Sequence, residues 1–326
     1  MQIPTRRVRT AHPSLRAGRR RSRRRTFLIA LLAAILAAGA LGSAAIATDT
    51  LGAGHLFERF IAKVDRFLSG PPPDRPSAAE VEVSDDPNED LVDPDASPSP
   101  TPQRTPVPSG QPTPAPTPTP PPRVAVDVDI LQDHKSVFAH ELRDDWCAPA
   151  GVTIVLAILG KGAPTDARER EIASRIGEWE SYQDSKNGEW GPGAMALALA
   201  AYGAPGYEVR AYNSRAGALR GAAVAISKTS SPAILLAWRG AHTWVMSGYR
   251  ADADPLVFHD ARVSGTYILD PWYPWNSSIW GQSDPPGTFQ DAAEMTRNFL
   301  PWKRPEGIYP SRDGKFIVVI PTIPRR

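Results

Sequence analysis

The amino-acid sequence predicts an α+β domain with an antiparallel sheet, on two observations. In the second half of the chain, segments with helical periodicity come first, and short apolar or alternating runs divided by Gly, Asp and Pro follow. All nine tryptophans and the single cysteine lie after position 145. Because helices followed by strands are typical of α+β domains, and about 200 residues suffice for one well-buried core, we place the folded domain at residues 124–326.

The helical part is predicted to begin at Cys147, because residues 147–159 are apolar all round, as in a buried helix. A charged amphipathic helix, an alanine-rich helix, a strand, and a helix with Ser214 as its N-cap follow. Their predicted bounds are 165–179, 193–202, 207–212 and 214–227. Further strands are predicted at 233–238, 242–250, 256–259, 265–269 and 315–321, with a last helix at 289–299.

The start of the chain predicts a membrane segment. Residues 1–25 contain ten arginines and no acid, and residues 27–47 are uncharged and almost wholly apolar. Arginine clusters also bind phosphate, but arginines directly before an apolar run of this length indicate the positive-inside rule instead. We therefore predict no nucleic-acid partner, a cytoplasmic arm at 1–25, a transmembrane helix at 26–47, and an extracellular domain.

Two interpretations of this segment stay open. The length of the apolar run favours a retained signal anchor, which would make the protein a single-pass membrane protein. Ala45-Ile46-Ala47 has the small-residue pattern of a signal-peptidase site, and cleavage there would release a secreted protein. Arg24-Arg25 also matches the core of a twin-arginine signal, so the export route is open too.

Between the membrane and the domain, two connecting segments are predicted. Residues 48–70 have helical apolar spacing and form an amphipathic juxtamembrane segment. Residues 71–123 hold 18 of the 35 prolines and few large apolar side chains, which predicts a disordered, extended linker. A semi-rigid spacer of this kind suits a tether that crosses a cell wall, so the wall is a possible partner.

Cys147 has two interpretations. Unpaired cysteine is often buried, so it could be inert filling of the core. A lone cysteine cannot form an internal disulfide, however, and a helix N-terminus favours the reactive thiolate. The small residues that follow it, Ala148, Ala150 and Gly151, let another backbone approach closely.

A cysteine nucleophile needs a base, and the base needs a group that orients it. His242 opens a predicted strand after the Gly240-Ala241 turn, and Asp270 ends the next long strand. Each also has an ordinary structural interpretation, since histidines often pack in cores and Asp-Pro often ends a strand. The order of the three residues favours a triad.

These residues resemble the papain-like cysteine peptidases, within them the bacteriocin-processing, double-glycine-leader peptidases. The resemblance covers about residues 133–321. It rests on Cys147-Ala148-Pro149-Ala150, Gly240-Ala241-His242 with Gly248-Tyr249, and Leu269-Asp270-Pro271-Trp272. It implies a papain-like fold, with the nucleophile helix packed on an antiparallel sheet. It also implies hydrolysis of peptide bonds in a peptide or protein substrate, with Cys147 as nucleophile, His242 as general base and Asp270 as its orienting residue.

Two positions depart from the family pattern. Ala148 stands where relatives usually have glycine. No glutamine stands about six residues before the cysteine, where relatives place an oxyanion donor. Glu141 and Arg143 are the tentative oxyanion residues, although an ionised Glu141 could not donate, whereas Arg143 or His140 could. A catalytically inactive papain-like domain that binds peptide or cell-wall material is therefore the alternative function.

Trp146 and Trp272 are assigned to the walls of the substrate cleft, and ordinary packing is the alternative. No cofactor is expected, because phosphate-cradling and nucleotide-binding motifs are absent from the sequence. No metal site is expected either, because the histidines and the cysteine do not show the spacing of zinc ligands.

Overall fold

The computed structural model describes residues 121–185, 190–303 and 307–325, together with Val64, Leu68 and the strand Glu80–Val83. The chain divides into two compact units, Met1–Gly70 and Pro71–Arg326, and the second contains the folded domain. The predicted transmembrane helix at 26–47, and most of the segments predicted at 48–70 and 71–123, lie outside the described residues. Among the residues that are described, no helix is long and apolar enough to cross a membrane.

An eight-stranded, largely antiparallel sheet is the framework of the domain. Its strands are β1 (Glu80–Val83), β2 (Val126–Asp129), β3 (Tyr207–Tyr212), β4 (Ala233–Leu236), β5 (His242–Ala251), β6 (Val263–Leu269), β9 (Thr288–Asp291) and β10 (Phe316–Pro321), while β7 (Asn276–Ser277) and β8 (Gly281–Gln282) form a separate ribbon. The order is β1-β3-β10-β4-β5-β6-β9, and β2 pairs with the second half of β5. Only the pairing of β1 with β3 is parallel among those described.

Helices cover both faces of this sheet. They are α1 (Cys147–Ile158), α2 (Asp166–Ser174), α3 (Pro192–Ala201), α4 (Arg215–Thr229) and α5 (Ala292–Asn298). In β4, Ile234 and Leu236 belong to the hydrophobic core that contains α1 and α3, whereas Leu235 belongs to the core that contains α4. Alternate side chains of a strand point to opposite faces, so the sheet is buried on both sides. The predicted α+β class with an antiparallel sheet is confirmed.

Most predicted elements have their counterparts within about two residues. The N-cap at Ser214 is confirmed, because its hydroxyl accepts a hydrogen bond from the Gly217 N–H at 3.0 Å. The predicted strand at 256–259 is wrong, since the Asp254 carboxylate accepts from the Leu256 N–H and folds the chain into a turn. The helix predicted at 289–299 begins only at Ala292, because Thr288–Asp291 pairs with β6 as a strand.

Two further elements differ from the prediction. The charged helix predicted at 165–179 ends at Ser174, and a separate 3-10 turn, Ile176–Glu178, follows it. Strand β1 lies inside the segment that the sequence predicts to be linker, where it pairs with β3. Its sequence, Glu-Val-Glu-Val, alternates polar and apolar residues as a half-buried strand does.

Helix α1 approaches β5 closely at Gly151. A Cβ atom at Gly151 would lie 2.5 Å from Cγ2 of Thr243, so only glycine leaves room for the strand there. Gly151 is one helical turn after Cys147, and Thr243 is next to His242. This close approach therefore brings the start of the helix beside the start of the strand.

Candidate active site

Cys147 is the first residue of α1, and its side chain is partly exposed. Trp146 occupies the N-cap position and offers no side-chain hydrogen bond to the first turn. The first N–H groups of a helix have no partner within the helix, so this end carries partial positive charge. A thiolate at Cys147 is favoured by that charge.

His242 is placed by a turn of unusual backbone. Trp238, Arg239 and Gly240 follow one another with positive φ of 51°, 63° and 85°. For residues other than glycine the left-handed conformation costs on the order of 1 kcal/mol each, so the surrounding structure holds the turn. The Lys303 N–H donates to the Arg239 carbonyl oxygen at 3.1 Å, and Ala237 pairs across the turn with His242.

Asp270 follows β6 directly, and β6 runs antiparallel to β5, so Asp270 lies beside the start of β5. Its Oδ1 atom is 2.6 Å from Nε2 of His242, and the side chains of both residues are almost completely buried. The same oxygen accepts a hydrogen bond from the Trp272 N–H at 2.9 Å. The backbone turn after Asp270 thus holds the carboxylate in place, and the carboxylate orients the imidazole of His242.

The thiol of Cys147 lies close to the imidazole. Its Sγ, a ring nitrogen of His242 and a carboxyl oxygen of Glu141 all lie within 4.8 Å of one another. Since Asp270 occupies Nε2, Nδ1 is the ring nitrogen left for the thiol. The structure therefore brings together the three residues that the sequence nominates as a triad.

The two reactive groups shift each other's protonation. Burial alone would raise the pKa of the Cys147 thiol, but the hydrogen bond and charge of His242, together with hydrogen bonds to Thr243, lower it overall. Burial would lower the pKa of His242, but Asp270 and then Cys147 raise it well above its ordinary value. Opposite charges favour each other's ionised forms, so the pair is disposed toward thiolate and imidazolium.

Glu141 is the third group at the thiol. It has no exposed surface, and within the described part of the chain neither of its carboxyl oxygens has a hydrogen-bond partner. Burial, with a smaller contribution from the nearby Cys147, raises the pKa of Glu141 to about 10. The side chain is therefore a neutral carboxylic acid at neutral pH.

The other sequence candidates lie around this centre. The guanidinium of Arg143 is 3.2 Å from an Asp145 carboxylate oxygen and lies over the Trp146 ring, so it is engaged at the outer edge. The His140 ring packs edge-on against Trp275 at 4.7 Å, and burial lowers its pKa. Arg143 is thus held in other contacts, whereas Nδ1 of His140 is buried and has no hydrogen-bond partner among the described residues.

Trp272 and His242 pack edge to face, with ring centroids 6.3 Å apart. Trp238, which the sequence analysis did not nominate, stacks on the His242 ring at 4.0 Å and 17°. Thr243, which helps to lower the pKa of the Cys147 thiol, was missed too. The presence of Trp238 just before the Gly240-Ala241 turn was the only sequence signal, and its position depends on left-handed backbone that the sequence does not announce.

Glu141, Cys147 and His242 could also converge on a metal ion, since one ligand atom from each lies within 4.8 Å of the others. The His242–Asp270 hydrogen bond is of the kind that orients metal-ligating histidines. Glu141 fits this role poorly, because a carboxyl with a pKa of about 10 would have to lose its proton first.

Comparisons of the chain with protein-family models, with curated proteins and with solved structures found no match.

Proposed function

We propose that this protein is a cysteine peptidase that hydrolyses peptide bonds through an acyl-enzyme. The observation that carries the proposal is the placement of His242, whose Nε2 is 2.6 Å from Asp270 and which has the Cys147 sulfur within 4.8 Å of a ring nitrogen. A thiol at a helix N-terminus, a base within reach and a third group that orients the base are the requirements for an activated cysteine.

The reaction proceeds in two stages. The Cys147 thiolate attacks the peptide carbonyl carbon, a C–S bond forms, and the carbonyl electron pair moves to oxygen. The C–N bond then breaks, and the leaving amine takes a proton from the His242 imidazolium. Water attacks the resulting thioester while His242 removes its proton, and rupture of the C–S bond releases the acid and restores the thiolate.

The proposal extends to a papain-like fold and to a location outside the cytoplasm. The packing of the nucleophile helix against an antiparallel sheet at Gly151 and Thr243 supports the first. The arginine-rich arm followed by the apolar run supports a single-pass membrane anchor and an extracellular peptidase domain. Its partners would then be a peptide or protein substrate, the membrane, and a cell wall that the linker crosses.

The alternative is an inactive papain-like domain that binds peptide or cell-wall material. The absence of the family's oxyanion glutamine before Cys147 favours this alternative. It requires the thiol to be unreactive, whereas the peptidase requires a thiolate near neutral pH.

Alkylation of the full-length protein by iodoacetamide tests the proposal, because Cys147 is the only cysteine and all labelling reports it. We expect rapid alkylation at pH 6 and at least about tenfold slower alkylation in His242→Ala, which loses the group that lowers the thiol pKa. Hydrolysis of N-acetylglycine 4-nitrophenyl ester should be lost in Cys147→Ala. His134→Ala is the matched control and should behave as the natural protein. Equal alkylation of the natural protein and His242→Ala, with no hydrolysis, would favour the inactive binding domain.

A further inference from the structure

We propose that Glu141, as a neutral carboxylic acid, donates its O–H to the oxygen of the tetrahedral intermediate formed on Cys147. This inference rests on the proposed peptidase function and names the donor that the reaction needs. Oxyanion donors are commonly among the largest contributors to acyl-transfer catalysis. A buried acid beside the nucleophile can fill that place.

The geometry of Glu141 supports the role. A carboxyl oxygen of Glu141 lies within 4.8 Å of both the Cys147 sulfur and a His242 ring nitrogen. A donor within that distance of the sulfur can reach the oxygen of a carbonyl carbon that is bonded to the sulfur. Both carboxyl oxygens are buried, and neither has a hydrogen-bond partner among the residues that the structure describes, so no acceptor there competes for the O–H.

The backbone on each side of the acid is anchored. The Glu141 N–H donates to the Pro271 carbonyl oxygen at 3.0 Å, which ties the acid to the turn that carries Asp270. The next N–H, of Leu142, donates to Glu169 of α2 at 2.8 Å. The acid therefore keeps its position without any hydrogen bond from its own side chain, as a preorganised donor requires.

The charges that face Glu141 keep its proton in place. Cys147 from α1, Asp270 from the end of β6 and Glu169 from α2 all disfavour a second negative charge, and only the imidazolium of His242 favours one. An ionised Glu141 would be a buried anion without a donor, next to a thiolate. The neutral acid is the form that can donate.

Two variants of the full-length protein separate donation from packing. Glu141→Gln keeps a donor of the same shape, and Glu141→Met keeps a similar volume without one. With N-acetylglycine 4-nitrophenyl ester as substrate, we expect Glu141→Gln to retain kcat within about tenfold and Glu141→Met to lower kcat about 100- to 1,000-fold. Binding of the corresponding aldehyde, N-acetylglycinal, should weaken in Glu141→Met, because the adduct of the aldehyde with the thiol also carries an oxygen that needs the donor.

Iodoacetamide alkylation is the control reaction, since displacement of iodide forms no oxyanion. We expect its rate in Glu141→Met to stay within about threefold of the natural protein, because Glu141 is neutral and its loss changes no charge. A Met variant with unchanged kcat, or one whose alkylation falls in parallel with its hydrolysis, overturns the inference while leaving the peptidase intact. If the natural protein hydrolyses the ester no faster than Cys147→Ala does, the proposed function fails and the inference with it.

Discussion

Among the described residues, the domain contains two histidine–aspartate pairs, and they differ in the groups that surround the imidazole. His242 and Asp270 lie 2.6 Å apart at the start of β5, and His134 and Asp129 lie 2.9 Å apart near its middle, beside Ser247. The second cluster, with its serine, has the residue types of a hydrolase triad. The three side chains are not arranged as a triad.

The difference lies in which ring nitrogen each partner uses. In the second cluster, Asp129 and Ser247 both approach Nε2 of His134, at 2.9 Å and 3.3 Å. A base must hold its orienting acid on one nitrogen and its nucleophile on the other. The remaining nitrogen, Nδ1, lies against Gly287, where a Cβ atom would be 2.4 Å away.

The nucleophiles differ as well. Ser247 has no exposed surface and donates to Asp129 at 3.0 Å, so its hydroxyl is tied to the acid itself. Cys147 is partly exposed at a helix N-terminus. A histidine–aspartate contact therefore identifies a reactive site only when the second ring nitrogen faces an accessible nucleophile.

Removal of the aspartate from each pair should affect kcat very differently, and this is the largest effect that we expect. Asp270→Ala leaves a buried imidazolium without its counter-charge and without orientation, so we expect kcat for the acetylglycine ester to fall about 100-fold or more. Asp129→Ala removes the corresponding carboxylate from a cluster with no nucleophile on the second nitrogen. Its kcat should stay within about twofold.

Stability keeps this comparison interpretable. Chemical unfolding should show that both alanine variants are destabilised by more than about 1 kcal/mol, since each loses a hydrogen-bonded acid. Asp270→Asn retains an acceptor for the histidine and should recover part of the activity. Loss of activity in Asp129→Ala equal to that in Asp270→Ala would show that the two pairs are not functionally distinct.

The sequence alone predicted the residues around His242, but it did not predict how this site differs from the cluster around His134. Cys147, His242 and Asp270 stand at element ends that periodicity and turn residues predict, so their convergence could be foreseen. The protonation of Glu141 could not be foreseen, because it depends on burial among Cys147, Asp270 and Glu169, which are distant in the chain or on other elements. The strand at 256–259 failed for a local reason, the side chain of Asp254 closing a turn.

The pH dependence of stability should distinguish the two histidine–aspartate pairs further, because Glu141, an acid with a raised pKa, lies close to His242. The pKa of Glu141 is about 10 in the folded protein, against an ordinary value of 4.5. The free energy of unfolding that is linked to this shift is fully present below about pH 4.5. It is lost as the pH rises toward 10, because the unfolded chain gives up the proton at lower pH than the folded protein does. Glu141→Gln cannot ionise at this position. Between pH 5 and pH 9 we therefore expect its free energy of unfolding to rise by about 2 kcal/mol or more relative to that of the natural protein.

Glu169→Gln is the matched variant for this measurement. Burial raises the pKa of Glu169 to about 7, so the stability linked to it is lost mainly between pH 4.5 and about 8. Urea unfolding at several pH values measures how far each variant exceeds the natural protein in free energy of unfolding. For Glu169→Gln this difference should level off near pH 8, while for Glu141→Gln it should continue to grow. Two curves that level off together would contradict the assignment of a neutral acid at position 141.

The smallest effect concerns the tryptophan ring that covers His242. Trp238 stacks on His242 at 4.0 Å, and Trp280 lies parallel to Trp238 at 5.7 Å. An aromatic face over an imidazolium stabilises its charge by about 0.5–2 kcal/mol, so Trp238→Leu should lower the pKa of His242 and reduce kcat about 3- to 30-fold. Trp280→Leu removes a tryptophan that stacks on Trp238, and we expect less than about a threefold change.

The readout that separates charge stabilisation from packing is the alkaline limb of the kcat profile. His242 must stay protonated for the thiolate pair to persist, so activity is lost as the pH rises through the pKa of that histidine. In Trp238→Leu this loss should begin at lower pH than in the natural protein, while in Trp280→Leu it should not move. An unchanged alkaline limb in Trp238→Leu, with reduced kcat, would mean that the tryptophan only positions the ring; the charge of His242 would then be maintained by Asp270 and Cys147 alone.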